Sequence, residues 1–219
     1  MSTFFDPHQR ATIAAAMARI IPTTGTPGAT EAGAIDFLDG YLGGIDRIYA
    51  KPDGSGFETL SGRRADAWRR RIDSLRTTYV EGIADLDQRS REAHGVPFVE
   101  LDEPQQDAML AAIERPGEEQ KLNTAQAVMG FAPVEPALQQ VDAEISLSFF
   151  ALLALHTRQG FYADPIYGGN RGQVGWQTIG FPGPSSLAEV HTGRYTVIDY
   201  FADGTHEQEM DISRARDQA

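Results

Sequence analysis

The chain has 219 residues, of which 41% are hydrophobic and 23% are charged, as is typical of a soluble globular protein large enough to bury one core. Its 31 acidic and 19 basic residues give a net charge of −12, which argues against general binding to nucleic acids or anionic membranes, because both require a positive surface. The absence of cysteine excludes disulfides, thiolate metal sites and thiol catalysis.

No run of residues approaches the ~18–20 apolar positions that a membrane span requires. The N-terminal residues MSTFFDPHQR also lack the basic and apolar regions of an export signal. We therefore expect a cytoplasmic protein as the sequence stands. A periplasmic location would require a partner that carries the chain across the membrane, or a signal that has been removed.

The first two predicted helices lie in the N-terminal 44 residues. Asp6 and Gln9 have the spacing of a capping box, so a first helix should begin there and end before Pro22. A second helix is predicted over about 30–42, where Gly43 and the glycine after it would terminate it.

The third predicted helix is the longest regular pattern in the chain, from a cap at Ser61 to a stop at Gly95. It follows a loop at residues 50–61. The apolar positions of this helix recur at steps of three and four: Trp68, Ile72, Leu75, Tyr79, Ile83 and Leu86. Asp102 with Gln105 should open a shorter fourth helix that ends before Pro116.

A fifth helix is predicted over about 134–159. Around the sequence ISLSFFALLAL it is apolar on nearly all sides, which predicts a position at the centre of a bundle or against a partner. These patterns together predict an all-α fold, an irregular bundle of about five helices.

Beyond Gly160 the helical pattern ends. Residues 160–184 are rich in glycine and proline but also carry aromatic and aliphatic anchors, so we expect an ordered loop. The expected anchors are Phe161, Tyr162, Tyr167, Trp176, Ile179 and Phe181. Residues 1–184 are therefore expected to form one helical domain and residues 185–219 a C-terminal extension. A strand pattern over 194–201 is compatible with a small β-hairpin before a charged, frayed tail.

Candidate chemistry is sparse. His156 and Asp164 could form an acid–base pair or two metal ligands, but no third ligand completes a metal site. Alternatively His156 interacts with the carbonyls at the end of its helix, while Asp164 starts a turn. Asp53 and Glu58 could be paired carboxylates, although solvated loop residues explain them as well.

The third helix carries six arginines, which indicate either an anion-binding patch or a solvated helix face. They are Arg63, Arg64, Arg69, Arg70, Arg71 and Arg76, accompanied by Asp66 and Asp73.

The aromatic loop allows three interpretations. It could stack on sugars, with Asn170 or Asp164 bonding hydroxyls; it could dock a protein partner; or it could only cover the core of this chain.

Two blocks of sequence resemble the gluconate 2-dehydrogenase subunit 3 family. IIPTTGTPGATEAGAIDFLDGYLGG (20–44) is similar to its N-terminal signature, and FFALLALHTRQGFYADPIYGGNRGQVGWQTIGFPG (149–183) to its C-terminal signature. With the helices between them, the resemblance covers about residues 8–184.

The resemblance implies a small, or gamma, subunit of an FAD-dependent sugar or sugar-acid dehydrogenase, without a cofactor of its own. The flavin and the catalytic residues would belong to a large subunit of the glucose-methanol-choline family, and a cytochrome subunit often completes the complex. The small subunit would help the large one fold, remain soluble and, in many members, cross the inner membrane by the twin-arginine route. Two departures matter: the twin-arginine signal is missing, and without cysteine any association must be non-covalent.

We therefore expect a non-catalytic subunit of a flavin-dependent dehydrogenase for a sugar, glycoside or sugar acid. The alternatives are a stand-alone carbohydrate-binding module and an independent enzyme using His156 and Asp164. The expected partner contacts lie in the loop: Phe161, Tyr162, Asp164, Pro165, Tyr167, Gly168, Gly169, Asn170, Trp176 and Phe181. The aromatics would be anchors, Gly168 and Gly169 would permit special backbone geometry, and Asp164 and Asn170 would fix the loop by bonding its own backbone.

Overall fold

The computed structural model describes residues 3–114, 144–181 and 183–184. Within these ranges the chain is all-α, as predicted, and the only β pairing is an isolated bridge between Ala50 and Phe57 in the 50–61 loop. The described α-helices are α1 (Pro7–Ile20), α2 (Ala29–Ala32), α3 (Ala34–Gly43), α4 (Gly62–His94), α5 (Glu103–Ile113), α6 (Phe149–Tyr162) and α7 (Val174–Thr178).

The helix starts at α1 and α5 are set by the capping boxes seen in the sequence. The Asp6 carboxylate accepts the Gln9 N–H at 2.8 Å, and the Gln9 side chain accepts the Asp6 N–H at 3.2 Å. Asp102 and Gln105 form the same reciprocal pair at the start of α5. Each box satisfies two N–H groups that a helix start would otherwise leave without partners.

The predicted second helix is wrong in one respect, because the chain forms two helices there instead of one. Gly33 has φ +65°, ends α2 in a left-handed turn and begins α3. This region of backbone space favours glycine, since a Cβ would be strained there. The resulting bend allows both helices to pack against α1 and α6.

The predicted fifth helix also needs correction. It does not run unbroken through residues 144–159: the helical residues Glu144 and Ile145 are followed by a bend, and α6 begins at Phe149. Ser148 has an extended backbone, and its side chain accepts the Ala151 N–H at 3.4 Å. A serine cap thus breaks an apolar run that resembles one helix. Residues 134–143 of that prediction lie outside the described residues, as does the predicted hairpin.

The core lies where α6 meets α1, α3 and α4, with α3 its most extensive partner. Leu152 and Leu153 of α6 are fully buried with Leu38 of α3 and Leu75 of α4. The prediction that this apolar helix is central is confirmed. The third helix also matches its prediction: α4 follows Ser61 and ends at His94, and Gly95 after it stops the helix with φ +82°.

Candidate functional site

The loop after α6 is partly helical, which the sequence pattern did not indicate. It contains short 3₁₀ turns at Pro165–Tyr167 and Arg171–Gln173, followed by α7. Asp164 starts the first turn: its carboxylate accepts the Ile166 N–H at 2.9 Å. Gly168 ends that turn with φ +101°, so its predicted role in permitting unusual backbone geometry agrees with the structure.

Asn170 fixes the centre of the loop. Its side chain is fully buried, donates to the Ala163 carbonyl at 3.0 Å and accepts the Gly175 N–H at 2.9 Å. Its own N–H donates to the Gly160 carbonyl at 2.7 Å. With φ +46°, Asn170 occupies the left-handed region that asparagine tolerates better than most residues. It therefore ties the end of α6 to the start of α7, as predicted from its chemistry.

Two glycines allow the loop backbone to lie directly on α6. A Cβ at Gly169 would lie 2.1 Å from the Gly160 carbonyl oxygen, and a Cβ at Gly175 would lie 2.0 Å from that of Phe161. Any larger residue at either position would force the loop away from the helix. Gly169 thus serves close backbone approach, whereas Gly168 serves a turn.

Trp176 organises an apolar surface at the end of the loop. It is only 7% exposed, and its indole N–H donates to the Tyr162 carbonyl at 2.7 Å. Its ring meets that of Phe181 edge-on at 5.4 Å, and its carbonyl accepts the N–H groups of Ile179 and Phe181. Around it Tyr162, Ile179 and Phe181 are exposed by 41%, 60% and 37%. We call these three side chains the Trp176 surface.

The ten predicted contact residues differ in their accessibility. Phe161, Gly169, Asn170 and Trp176 are buried in this chain's own fold, so they shape the loop instead of presenting surface. Asp164, Pro165, Tyr167 and Gly168 are half-buried, and Tyr162 and Phe181 are exposed. Ile179, expected to be an anchor, is the most exposed large hydrophobic residue among those described. The contact role of all ten remains a prediction.

His156 belongs to a buried polar network. The Tyr79 hydroxyl lies 2.8 Å from its Nδ1, and its Nε2 lies 2.7 Å from Glu144 Oε1. Glu144 Oε2 also accepts from Arg71 Nη2 and from the Tyr41 hydroxyl, the latter at 3.2 Å. Because a carboxylate only accepts, these contacts fit a neutral imidazole with its proton on Nε2.

This network corrects the interpretations of His156. Both ring nitrogens have side-chain partners, so the ring does not interact with the helix-end carbonyls, and Asp164 is bonded elsewhere. Burial lowers the pKa of His156 to about 3, and the positive charge of Arg71 acts in the same direction. Burial also raises the pKa of Tyr41 to about 12. A fully enclosed, neutral His156 is suited to holding α6 against α4.

The arginines of α4 form a partly neutralised face. Arg69 pairs with Asp66 at 2.9 Å, and Arg76 donates to the Leu42 carbonyl at 2.8 Å. Arg64 lies over the Tyr49 ring at 4.1 Å from its centroid. Arg71 differs from the others because it points inward and is 7% exposed. The six residues therefore do not share one face, because Arg71 is buried while the other five lie on the outer side of α4.

The two carboxylates of the 50–61 loop interact with different partners and not with each other. Asp53 accepts the Ser55 N–H at 2.9 Å, and Glu58 lies 3.9 Å from Arg64. Among the described residues, no group of three or more His, Asp or Glu side chains could hold a metal ion. In the same ranges, no helix has both the length and the hydropathy to cross a membrane.

A cavity of about 440 Å³ lies beside the network. Five of its eleven lining residues are aromatic, and the walls come from α3 and the turn after it, α4, α6 and the loop, with Glu144. Its lining includes Tyr41, Trp68, Arg71, Glu144, Tyr162 and Tyr167. The loop thus contributes to a concave site as well as to the Trp176 surface.

Comparison with known families gives one result. The sequence model of the family described as gluconate 2-dehydrogenase subunit 3 matches residues 7–183, nearly the span of the resemblance seen in the sequence. No curated protein and no solved structure shows significant similarity to the chain. The chain belongs to the gluconate 2-dehydrogenase subunit 3 family, and the family name is that of an accessory subunit of a dehydrogenase.

Proposed function

We propose that this chain is the non-catalytic small subunit of a flavin-dependent dehydrogenase that oxidises a sugar, a glycoside or a sugar acid. In this proposal a large subunit of the glucose-methanol-choline family holds the FAD and removes the hydride. The small subunit stabilises the large one, and a cytochrome subunit is a further candidate partner. Membership of a family of dehydrogenase subunits is the observation that carries the proposal.

The Trp176 surface is the part of the chain that we propose the large subunit covers. Tyr162, at the end of α6, and Ile179 and Phe181, which follow α7, expose apolar area beside a loop that is held by Asn170 and Trp176. Rigid aromatic and aliphatic side chains are effective interface anchors, because little conformational entropy is lost when a partner covers them. Since the chain has no cysteine, the association would be non-covalent.

The proposal is tested by co-expressing the tagged chain with a candidate flavoprotein encoded beside it. We expect the two to co-purify as a yellow complex with the absorption of bound flavin. Failure to co-purify, or sugar oxidation by this chain without a flavoprotein, would count against the proposal.

The surface is tested separately with the double variant Ile179→Ser, Phe181→Ser. If each side chain is an interface anchor worth about 2 kcal/mol, the pair should weaken the complex by roughly three orders of magnitude. Val80→Ser is the matched control, because Val80 is a 42% exposed apolar residue on α4. Equal recovery of the complex with both variants would place the interface elsewhere while leaving the subunit role intact.

A further inference from the structure

Arg71 has hydrogen-bonding capacity that the described part of the chain does not use. Its side chain is buried to more than nine-tenths, and Nη2 donates to Glu144. Its Nε and Nη1 are buried and find no hydrogen-bond partner among the described residues. A buried donor without an acceptor costs about 1–3 kcal/mol, and more when it is charged, so such groups are rare in native proteins without a ligand or water to satisfy them.

The unused donors belong to a side chain that lines the 440 Å³ cavity. That volume lies within the range of small-molecule sites, roughly 300–1,000 Å³. Tyr41 and Trp68 supply aromatic walls, and the Arg71 guanidinium lies 4.5 Å from the centroid of the Trp68 ring. Apolar walls with a few convergent polar groups are the usual composition of a ligand site.

The charges in the cavity favour an anion. Glu144 is its only acidic lining residue among those described, and that carboxylate already accepts from Arg71, His156 and Tyr41. Its negative charge is therefore compensated, and Arg47 adds a second cation to the lining. Guanidinium groups bind carboxylates with strong charge-assisted hydrogen bonds.

We propose that this cavity is a binding site for a small organic carboxylate. A carboxylate oxygen of the ligand accepts from the remaining N–H groups of Arg71, while Trp68, Tyr41 and Tyr162 cover its carbon skeleton. The site lies in this chain alone and does not depend on the proposed large subunit.

The test is calorimetric titration of the full chain with sodium benzoate, with benzyl alcohol as an uncharged probe of similar shape. We expect saturable 1:1 binding of benzoate with a Kd of about 1 mM or tighter. Benzyl alcohol should bind at least about tenfold more weakly, because its neutral hydroxyl forms weaker hydrogen bonds with the guanidinium than a carboxylate does. Absence of saturable benzoate binding, or equal binding of both probes, would overturn the proposal.

Variants locate the site. Arg71→Met combined with Glu144→Gln removes both charges together, so that neither remains buried alone. It should abolish benzoate binding, whereas Arg70→Met, on the exposed neighbour in α4, should leave the Kd unchanged. If the double variant does not fold, Tyr162→Ser tests the site instead, because this side chain is exposed and also lines the cavity. It should weaken benzoate at least threefold, and an unchanged Kd would refute the assignment.

Discussion

Asn170 offers the sharpest test of how the loop is held. Replacing it with glycine removes its two side-chain hydrogen bonds while keeping a residue that accepts φ +46°. The Ala163 carbonyl and the Gly175 N–H would lose these bonds. A lost hydrogen bond that leaves a buried partner costs about 1–3 kcal/mol, so the loss of two bonds in Asn170→Gly should lower the free energy of unfolding by about 2–6 kcal/mol.

Two further variants separate the contributions. Asn170→Ala loses the same bonds and adds about 1–2 kcal/mol, because alanine is strained in the left-handed region. Asn170→Asp keeps an acceptor for Gly175 but places a buried, charged oxygen against the Ala163 carbonyl oxygen, so it should cost more than the glycine variant.

The assay is denaturant unfolding of the purified chain followed by circular dichroism, with the melting temperature as a check. For a domain of this size, a loss of about 2–6 kcal/mol corresponds to a drop in melting temperature of about 4–24 °C. The glycine variant should be less stable than wild type, and the alanine and aspartate variants should both be less stable than the glycine variant. An Asn170→Gly variant within about 0.5 kcal/mol of wild type would show that the two bonds do not hold the loop, and the reasoning would fail.

Three other changes have defined outcomes. Because the pKa of His156 lies at about 3 in the folded chain and near 6.5 when unfolded, the unfolded state takes up the proton first. This group should therefore lower the free energy of unfolding by up to about 1.4 kcal/mol for each pH unit below about pH 6.5. In urea unfolding at several pH values, His156→Gln should show a correspondingly weaker dependence of that free energy on pH. Gly160→Ala places a Cβ 2.9 Å from the backbone of Ala34 and should cost about 1–3 kcal/mol in thermal unfolding; no change would mean that α3 and α6 separate freely. Gly95→Ala, at φ +82° with open space around it, should cost only about 1 kcal/mol, and a loss above about 2 kcal/mol would contradict a purely conformational cause.

The network around His156 shows why its role could not be read from the sequence. Its partner Tyr79 is 77 positions away, and nothing in the spacing of either residue indicates the pairing. Glu144 is nearer in sequence, 12 positions away, but it meets His156 only because the chain bends at Ser148. The predicted partner Asp164 is closer still along the chain, yet it bonds its own turn.

The two corrections to the helices have a related cause. The apolar pattern passes through Gly33 and Ser148 without a change of period, so periodicity cannot distinguish a bend from a continuous helix there. What decides is the local backbone at each bend: Gly33 turns the chain at φ +65°, so that α2 and α3 both pack against α1 and α6, and Ser148 caps α6 with an extended backbone.

The sequence by itself determined the all-α class, the capped starts of α1 and α5, the full length of α4 and the family. Each of these depends on neighbouring residues along the chain, or on a long contiguous match. Only the tertiary structure decided that Phe161 and Trp176 face inward while Ile179 faces outward, and that Arg71 lines a cavity. Those outcomes depend on contacts between distant segments, since a side chain is buried or exposed only relative to what packs against it.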